Sequence, residues 1–224
     1  MVDVKQIVVK VIPNNIANEF VKKHHYSWKV VPNSQLHFGC FLNGVLGGVI
    51  SYWPSTDKSK LIWLVEWTQR NEFIELNRMA FSDMLPRNSE SRCIAITIRM
   101  IKKQAPHIKR VISFADWCQC WDWTIYRASW FELSGIKVNS TLRMDENWKV
   151  YSQLTYTAHK PNEMDKFRKM KKIDWYMLRY IKLLKPNLKR NYSIIPYSEI
   201  DKYWAWMYKW EKITRKERHE KTDE

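Results

Sequence analysis

His37-Phe38-Gly39-Cys40-Phe41-Leu42-Asn43-Gly44-Val45-Leu46-Gly47-Gly48-Val49-Ile50-Ser51-Tyr52 is two apolar runs joined by Asn-Gly. Asn and Gly both tolerate the positive φ that a two-residue type I′ turn demands, so the stretch predicts a β-hairpin. The surroundings extend it into a sheet. Ile7-Val8-Val9-Lys10-Val11-Ile12 is β-branched and stops at Pro13, as a strand does. Asn14 and Asn15 are then placed to cap a helix over residues 16–24, with Ile16, Phe20 and Val21 on one face. Residues 73–80 read as another strand. Beyond Pro86, the apolar positions 94, 98 and 101 recur at helical spacing, and Lys102 and Lys103 sit where cations suit the helix dipole. Arg110-Val111-Ile112-Ser113-Phe114-Ala115 is a short buried-type strand ending at Asp116. Residues 124–130 read as a short helix, and Phe131-Glu132-Leu133 enters a last strand ending near Gly135. The expected class is α/β (α+β): a mixed, mostly antiparallel sheet flanked by helices.

The chain has 224 residues, of which 45% are hydrophobic and 27% charged, enough to bury a core and against wholesale disorder. Lys and Arg outnumber Asp and Glu by 38 to 23, a net charge of +15, which predicts a polyanionic partner. Neither a Rossmann nor a P-loop fingerprint occurs. No apolar run approaches the roughly 20 residues that span a bilayer. Met1-Val2-Asp3-Val4-Lys5 lacks the layout of a signal peptide. Cys40, Cys93, Cys118 and Cys120 are too scattered for a disulfide framework, so a reducing cytoplasm is expected. Cys118 and Cys120 form CxC with no second pair to complete a zinc site.

The character changes after about residue 140. Residues 160–190 hold +8 of the net charge, and Tyr197, Tyr203, Trp204, Trp206, Tyr208 and Trp210 follow. The division expected is a catalytic domain over residues 1–139 and a basic, Trp/Tyr-rich C-terminal extension over 140–224, packed on it. Lys166, Arg168, Lys169, Lys171 and Lys172 lie within seven residues, on a helix expected over residues 165–180. Such a run is either a solvated face or a set of phosphate contacts, and an excess this concentrated favours the DNA backbone.

Residues 73–132 have the layout of a reaction site. One strand delivers Asn77 and Arg78, a helix start delivers residues 87–91, and a second strand ends at Asp116. Strand ends beside a helix N-terminus form the usual ligand crevice of such sheets, suited to an anion. Equally, Ser89 is a natural N-cap and Asp116 a natural turn-former. Trp117, Trp121 and Trp123 are candidates either for stacking on a base or for core packing. His37, His107, His159 and His219 sit in polar or strand contexts without a catalytic role.

Leu85-Pro86-Arg87-Asn88-Ser89-Glu90-Ser91-Arg92, with Ser113-Phe114-Ala115-Asp116 and Thr124-Ile125-Tyr126 at their spacing, resembles the Mom DNA-modification family of Mu-like phages, a divergent branch of the GNAT acyltransferase fold. His24-His25-Tyr26-Ser27-Trp28 is similar to its early His-Tyr element, and the hairpin at 38–48 to its hairpin. The resemblance covers about residues 20–135 and leaves the tail uncovered. It implies an enzyme of the phage-infected host's cytoplasm, a GNAT-like transferase that converts adenine in double-stranded DNA to an N6-carbamoylmethyl adenine and protects the DNA from restriction. It also implies the site: His25, Tyr26, Ser89, Ser91, Asp116 and Tyr126 as catalytic residues, with Arg78, Arg87 and Asn88 holding the donor of the acyl or glycine-derived group. Iron is the implied cofactor, with His25, Tyr26 and Asp116 offering N and O donors that suit it.

The chemistry agrees with that assignment. The adenine amine is a poor nucleophile, and a carboxylate at Asp116 can accept its proton. Tyr126 can donate to a leaving group or stack on the base. A base within a duplex must flip to reach such a site. Residues 87–91 contain no glycine, and their side chains crowd the approach a pyrophosphate needs, which weighs against acetyl-CoA. The competing readings are an acyl-CoA-dependent N-acyltransferase acting on a protein or small-molecule amine, and a catalytically inactive DNA-binding module. Whether the chain acts as a monomer or a homodimer is not written in the sequence.

Overall fold

The computed structural model describes residues 3–25, 30–31, 33–55, 58–116, 124–138, 142–147, 149–153, 156–157, 160–173, 176–202, 207–208 and 211–212. Tyr26, Trp117, Trp121, Trp123, Trp175, Cys118, Cys120, His159 and His219 lie outside these residues, as do Tyr203, Trp204, Trp206 and Trp210.

The Asn-Gly hairpin forms as expected. β1 (Val8–Val11), β2 (Leu36–Leu42) and β3 (Val45–Trp53) pair antiparallel. Asn43 and Gly44 adopt φ of 51° and 81°, the pair of positive angles that the turn requires. Gly48 lies against Phe81, and a Cβ there would sit 2.7 Å from the ring. The middle of β3 is buried on both faces, which is why its sequence is a continuous apolar run rather than an alternation. β4 (Phe73–Phe81) pairs antiparallel with β3, and β5 (Arg110–Asp116) runs parallel to β4. Among the described residues the sheet has seven strands. Its order is β1-β2-β3-β4-β5-β10-β6, with β6 at Glu132–Val138 and β10 at Tyr176–Leu183. The expected mixed, mostly antiparallel sheet with flanking helices is present.

Helix α1 (Asn14–His24) turns Ala17, Phe20 and Val21 onto Ile12, Val49 and Ala80. Two local expectations fail here. Pro13 occupies the N-cap, making Asn14 the first helical residue, and Ile16 is 41% exposed because the buried stripe falls one position later. A short α2 (Lys58–Leu61) precedes β4. Helix α3 (Ser89–Gln104) links β4 to β5 and buries Cys93, Ile94, Thr97, Ile98 and Ile101, the i, i+4 stripe that the sequence displays. α4 (Thr124–Ala128) is shorter than expected, ending in a turn at residues 129–130.

By compactness the chain divides into two units, one of residues 1–114, 122–134 and 179–204, the other of residues 115–121, 135–178 and 205–224. The second contains a three-stranded sheet, with β7 (Leu142–Met144) between β8 (Val150–Ser152) and β9 (Lys171–Lys172), and helix α5 (Met164–Lys169). Tyr156 and Phe167 are buried there, ring centroids 5.1 Å apart.

The expected helix over 165–180 is therefore corrected. It stops at Lys169, and residues 176–183 form β10, with Leu178, Tyr180 and Ile181 buried. Aromatic and branched residues in near-alternation favour the strand, while the cations between them are satisfied by the fold. The Arg179 guanidinium donates to Ser134 Oγ at 3.0 Å and to the Ser134 carbonyl at 2.7 Å. Since β10 belongs to the main sheet, that sheet draws on residues from both sides of the boundary expected at 139/140.

Candidate functional site

A β-bulge in β4 places the first group of polar side chains. Ser51 and Tyr52 of β3 face Arg78 and Leu76, which leaves Asn77 as the extra residue. Bulges of this kind re-aim side chains beside functional sites. Asn77 Oδ1 accepts from Ser34 Oγ at 3.2 Å, and the Arg78 guanidinium donates to the Asn77 carbonyl at 2.8 Å. His25 caps the C-terminus of α1, its backbone N–H bonded to the Val21 carbonyl. It is only 6% exposed. Burial, helped by the positive charge of Arg78, holds the imidazole down at about 4, so it is neutral at physiological pH. Glu75 shifts the other way. Burial raises its carboxyl, against a Ser55 hydrogen bond and the same Arg78 charge.

His37 is fixed behind this group. Its Nε2 lies 3.1 Å from the Ser34 carbonyl and its Nδ1 2.8 Å from Ser51 Oγ. A carbonyl only accepts, so the proton sits on Nε2, and Nδ1 receives the Ser51 hydroxyl. Burial keeps this ring below its ordinary pKa as well.

The second group lies where β4 and β5 stop pairing. Their ladder runs from Phe73↔Arg110 to Leu76↔Ser113, although β4 continues to Phe81 and β5 to Asp116. At its last pair Ser113 Oγ donates to the Leu76 carbonyl at 2.9 Å and lies 2.8 Å from the Tyr126 hydroxyl. A serine has one proton to give, so Tyr126 is the donor to Ser113. The Tyr126 ring is 6% exposed, stacked on Tyr180 at 4.4 Å and edge-on to Phe131 at 5.5 Å. Tyr180 thus covers a face of the Tyr126 ring that base stacking would use.

The remaining nominated residues are spread out. Arg87 and Asn88 are exposed at the start of α3, with Asn88 in the left-handed region at φ 70°. Ser89 is not the N-cap, since Asn88 holds that position. Ser89 is buried, and its hydroxyl donates to the Pro86 carbonyl. Ser91 donates to the Asn88 carbonyl at 3.2 Å. Both hydroxyls thus staple their own loop. Asp116 ends β5 as expected, its side chain lying outside the described residues.

Of the donors suggested for iron, only the His25 side chain is described, and among the described residues no three His, Cys, Asp or Glu side chains gather. Cys40 and Cys93 are free, buried thiols, the former pushed well above its ordinary pKa by a hydrogen bond with the latter and by burial.

The second unit carries a groove of about 730 Å³, lined by Tyr151 and Tyr156 and by Lys160, Lys166, Lys169 and Lys171. Three of the five nominated DNA-binding residues line it together. Arg168 instead pairs with Asp165 at 3.2 Å, and Lys172 is exposed on β9. Asp145, also in the lining, accepts the backbone N–H groups of Asn147 and Lys149, each at 2.9 Å, and the Tyr151 hydroxyl at 3.1 Å.

Residues 6–199 match the model of the Mom protein family. The chain belongs to the Mom family. The match extends well into the tail, so the resemblance is not confined to residues 20–135. The chain is 33% identical over 156 residues to methylcarbamoylase mom of Escherichia phage Mu, covering 70% of this chain and 64% of that protein. It therefore spans just under two thirds of that relative's length. Similar solved structures include an N-acetyltransferase from Staphylococcus aureus, at 10% identity and a TM-score of 0.49, covering 80% of this chain and 99% of that one. A GNAT-family acetyltransferase from Streptococcus pneumoniae matches at 12% identity and a TM-score of 0.47, again over 80% and 99%. Among the described residues of this Mom-family chain, no helix is long and apolar enough to cross a membrane.

Sequence reasoning missed Glu75, Ser34 and Ser113. Ser113 left a trace, a lone hydroxyl inside the apolar run 111–115. Glu75 left none, because an alternating strand offers no reason to single out one carboxylate.

Proposed function

We propose that this chain is a DNA-modifying transferase that places a carbamoylmethyl group on N6 of adenine in double-stranded DNA. The observation that carries this reading is the 33% identity to the phage Mu methylcarbamoylase across 70% of the chain. The polar group around the β4 bulge supports it. In the proposed reaction the target adenine leaves the duplex stack, since its amine is out of reach within it. N6 forms a bond to the methylene carbon of the donor's carbamoylmethyl group, and the donor's leaving group departs with the electron pair. Asp116 takes the proton that N6 loses.

The other side chains position and polarise. Neutral His25 and the Tyr26 hydroxyl are proposed to hydrogen-bond the reacting groups. Arg78, with Arg87 and Asn88, offers donors to the oxygens of the group donor. The Tyr126 hydroxyl, now given to Ser113, is the proposed proton source for the leaving group. Ser89 and Ser91 shape the loop. Lys166, Lys169 and Lys171 are proposed to contact DNA phosphates from their groove.

Against an acyl-CoA transferase stands the start of α3, where residues 87–91 offer side chains in place of glycine. The test is to digest plasmid DNA from cells expressing the protein and weigh the nucleosides. Deoxyadenosine heavier by one carbamoylmethyl group is expected, and Asp116→Ala abolishes it. Unmodified deoxyadenosine in the presence of soluble wild-type protein overturns the reading.

A further inference from the structure

Trp67 and Trp130 are 89% and 84% exposed, and both hold a backbone conformation that tryptophan rarely adopts, with φ of 55° and 58°. A single exposed aromatic needs no explanation, but a bulky residue in the left-handed region does. Trp130 ends α4. Its N–H donates to the Arg127 carbonyl and the Phe131 N–H to the Tyr126 carbonyl, each at 3.0 Å. That is the Schellman pattern, whose left-handed residue is normally glycine. Trp67 lies in the turn before β4, followed by Thr68, whose hydroxyl donates to the Val65 carbonyl at 2.9 Å. Strain retained twice, at two exposed tryptophans, points to use of the rings.

The two turns are mounted alike and at the same end of the sheet. Lys109 Nζ donates to the Trp67 carbonyl at 3.0 Å, and Lys182 Nζ lies 3.4 Å from the Trp130 carbonyl. The backbone joins these supports, since the Leu184 N–H donates to the Lys109 carbonyl at 2.8 Å. Residues 189–190 link the turns again. The Lys189 carbonyl accepts from the Glu66 N–H at 3.0 Å, and Arg190 pairs with Glu132 at 2.6 Å. Among the described residues the acids of these turns are paired, Glu66 to Lys189, Glu72 to Lys109 and Glu132 to Arg190. Arg70, Arg127 and Lys185 therefore leave the neighbourhood positive.

We propose that Trp67 and Trp130 are stacking contacts for bases of unpaired DNA, held at the end of the sheet where β4 and β5 begin, opposite the end that carries Asp116. This rests on the DNA-modifying reading above. Indole faces set among cations suit a polymer that alternates aromatic bases with phosphates, and every base has a face to stack.

Glycine separates the ring from the backbone, because it relieves the left-handed strain while deleting the indole. The test compares the double variant Trp67→Gly/Trp130→Gly with Trp67→Phe/Trp130→Phe, using a fluorescent single-stranded oligonucleotide. The glycine pair is expected to keep or raise the thermal midpoint and to lose about tenfold or more in affinity. The phenylalanine pair is expected to stay close to wild type in affinity. Wild-type affinity in the glycine pair overturns the proposal, as does a lowered midpoint in it or a change of oligomeric mass. If wild-type protein modifies plasmid adenine while the glycine pair binds normally, only the stacking role falls. If wild-type protein binds no DNA, both readings fall together.

Discussion

The Tyr126 hydroxyl lies 2.8 Å from Ser113 Oγ at the last residue pair between β4 and β5, and the Ser113 proton goes to the Leu76 carbonyl. One serine thus joins a strand carbonyl to the ring stacked on Tyr180. Ser113 is fully buried, so Ser113→Ala removes one buried hydrogen bond to the Leu76 carbonyl and one from Tyr126, and costs about 1–3 kcal/mol. Tyr126→Phe is expected to cost less in the Ser113→Ala background than in wild type. Denaturant midpoints of the two single variants and the double check this coupling.

His25 makes acid stability a measure of the bulge site. Its folded pKa of about 4 lies below the ordinary 6.5, so between those values the unfolded chain binds a proton that the native chain refuses. Stability is then full above pH 6.5 and falls as the pH drops toward 4, by about 3 kcal/mol for this group. His37 is lowered too and adds to the same slope. His25→Gln is expected to flatten its own share, read from denaturant curves at stepped pH. Arg78→Met is expected to raise the His25 pKa, visible by NMR titration of the ring.

The legible parts of this chain were those written locally. Asn43-Gly44 fixes its hairpin with two residues, and α3 announces its stripe within one window. Residues 176–180 read as the end of a helix because the cations around them resemble a solvated helix face, whereas they begin β10. What satisfies Arg179 and Lys182 is the backbone and side chains of residues 129–134, far away in sequence. The site divides the same way. His25 and Tyr126 could be nominated from motif likeness, yet the burial of His25, the charge of Arg78 beside it and the Ser113 hydroxyl beside Tyr126 exist only in the folded sheet. Ser89 looked like a cap by composition, and a one-residue shift turned it into a loop staple.

Arg110 is fully buried, and the fold depends on its shape as well as its charge. Its guanidinium donates to the Leu61 carbonyl at 2.7 Å and to Thr68 Oγ1 at 3.2 Å, and lies 4.5 Å from the centre of the Phe73 ring. Burial pulls its pKa down to about 10, so it remains charged at neutral pH. Lysine can supply the charge without the planar fork. Arg110→Lys is therefore expected to lose about 2–4 kcal/mol, read from the thermal or denaturant midpoint. Since Leu61 and Thr68 flank the turn that holds Trp67, proteolysis within residues 58–72 is expected to speed up in the same variant.

The basic groove of the second unit separates placed charge from mere charge. Lys166, Lys169 and Lys171 share one lining, whereas Arg168 is engaged with Asp165 outside it. If the groove holds DNA phosphates, each lost contact lowers the slope of log affinity against log salt by about 0.9. The triple variant Lys166→Ala/Lys169→Ala/Lys171→Ala is expected to bind duplex DNA more weakly, with a visibly shallower slope. Arg168→Ala removes one charge from the same helix and is expected to leave the slope almost unchanged. Anisotropy titrations over a salt series distinguish the cases. Equal loss per charge in both variants would mean that DNA senses only the net positive field of the unit and not the groove.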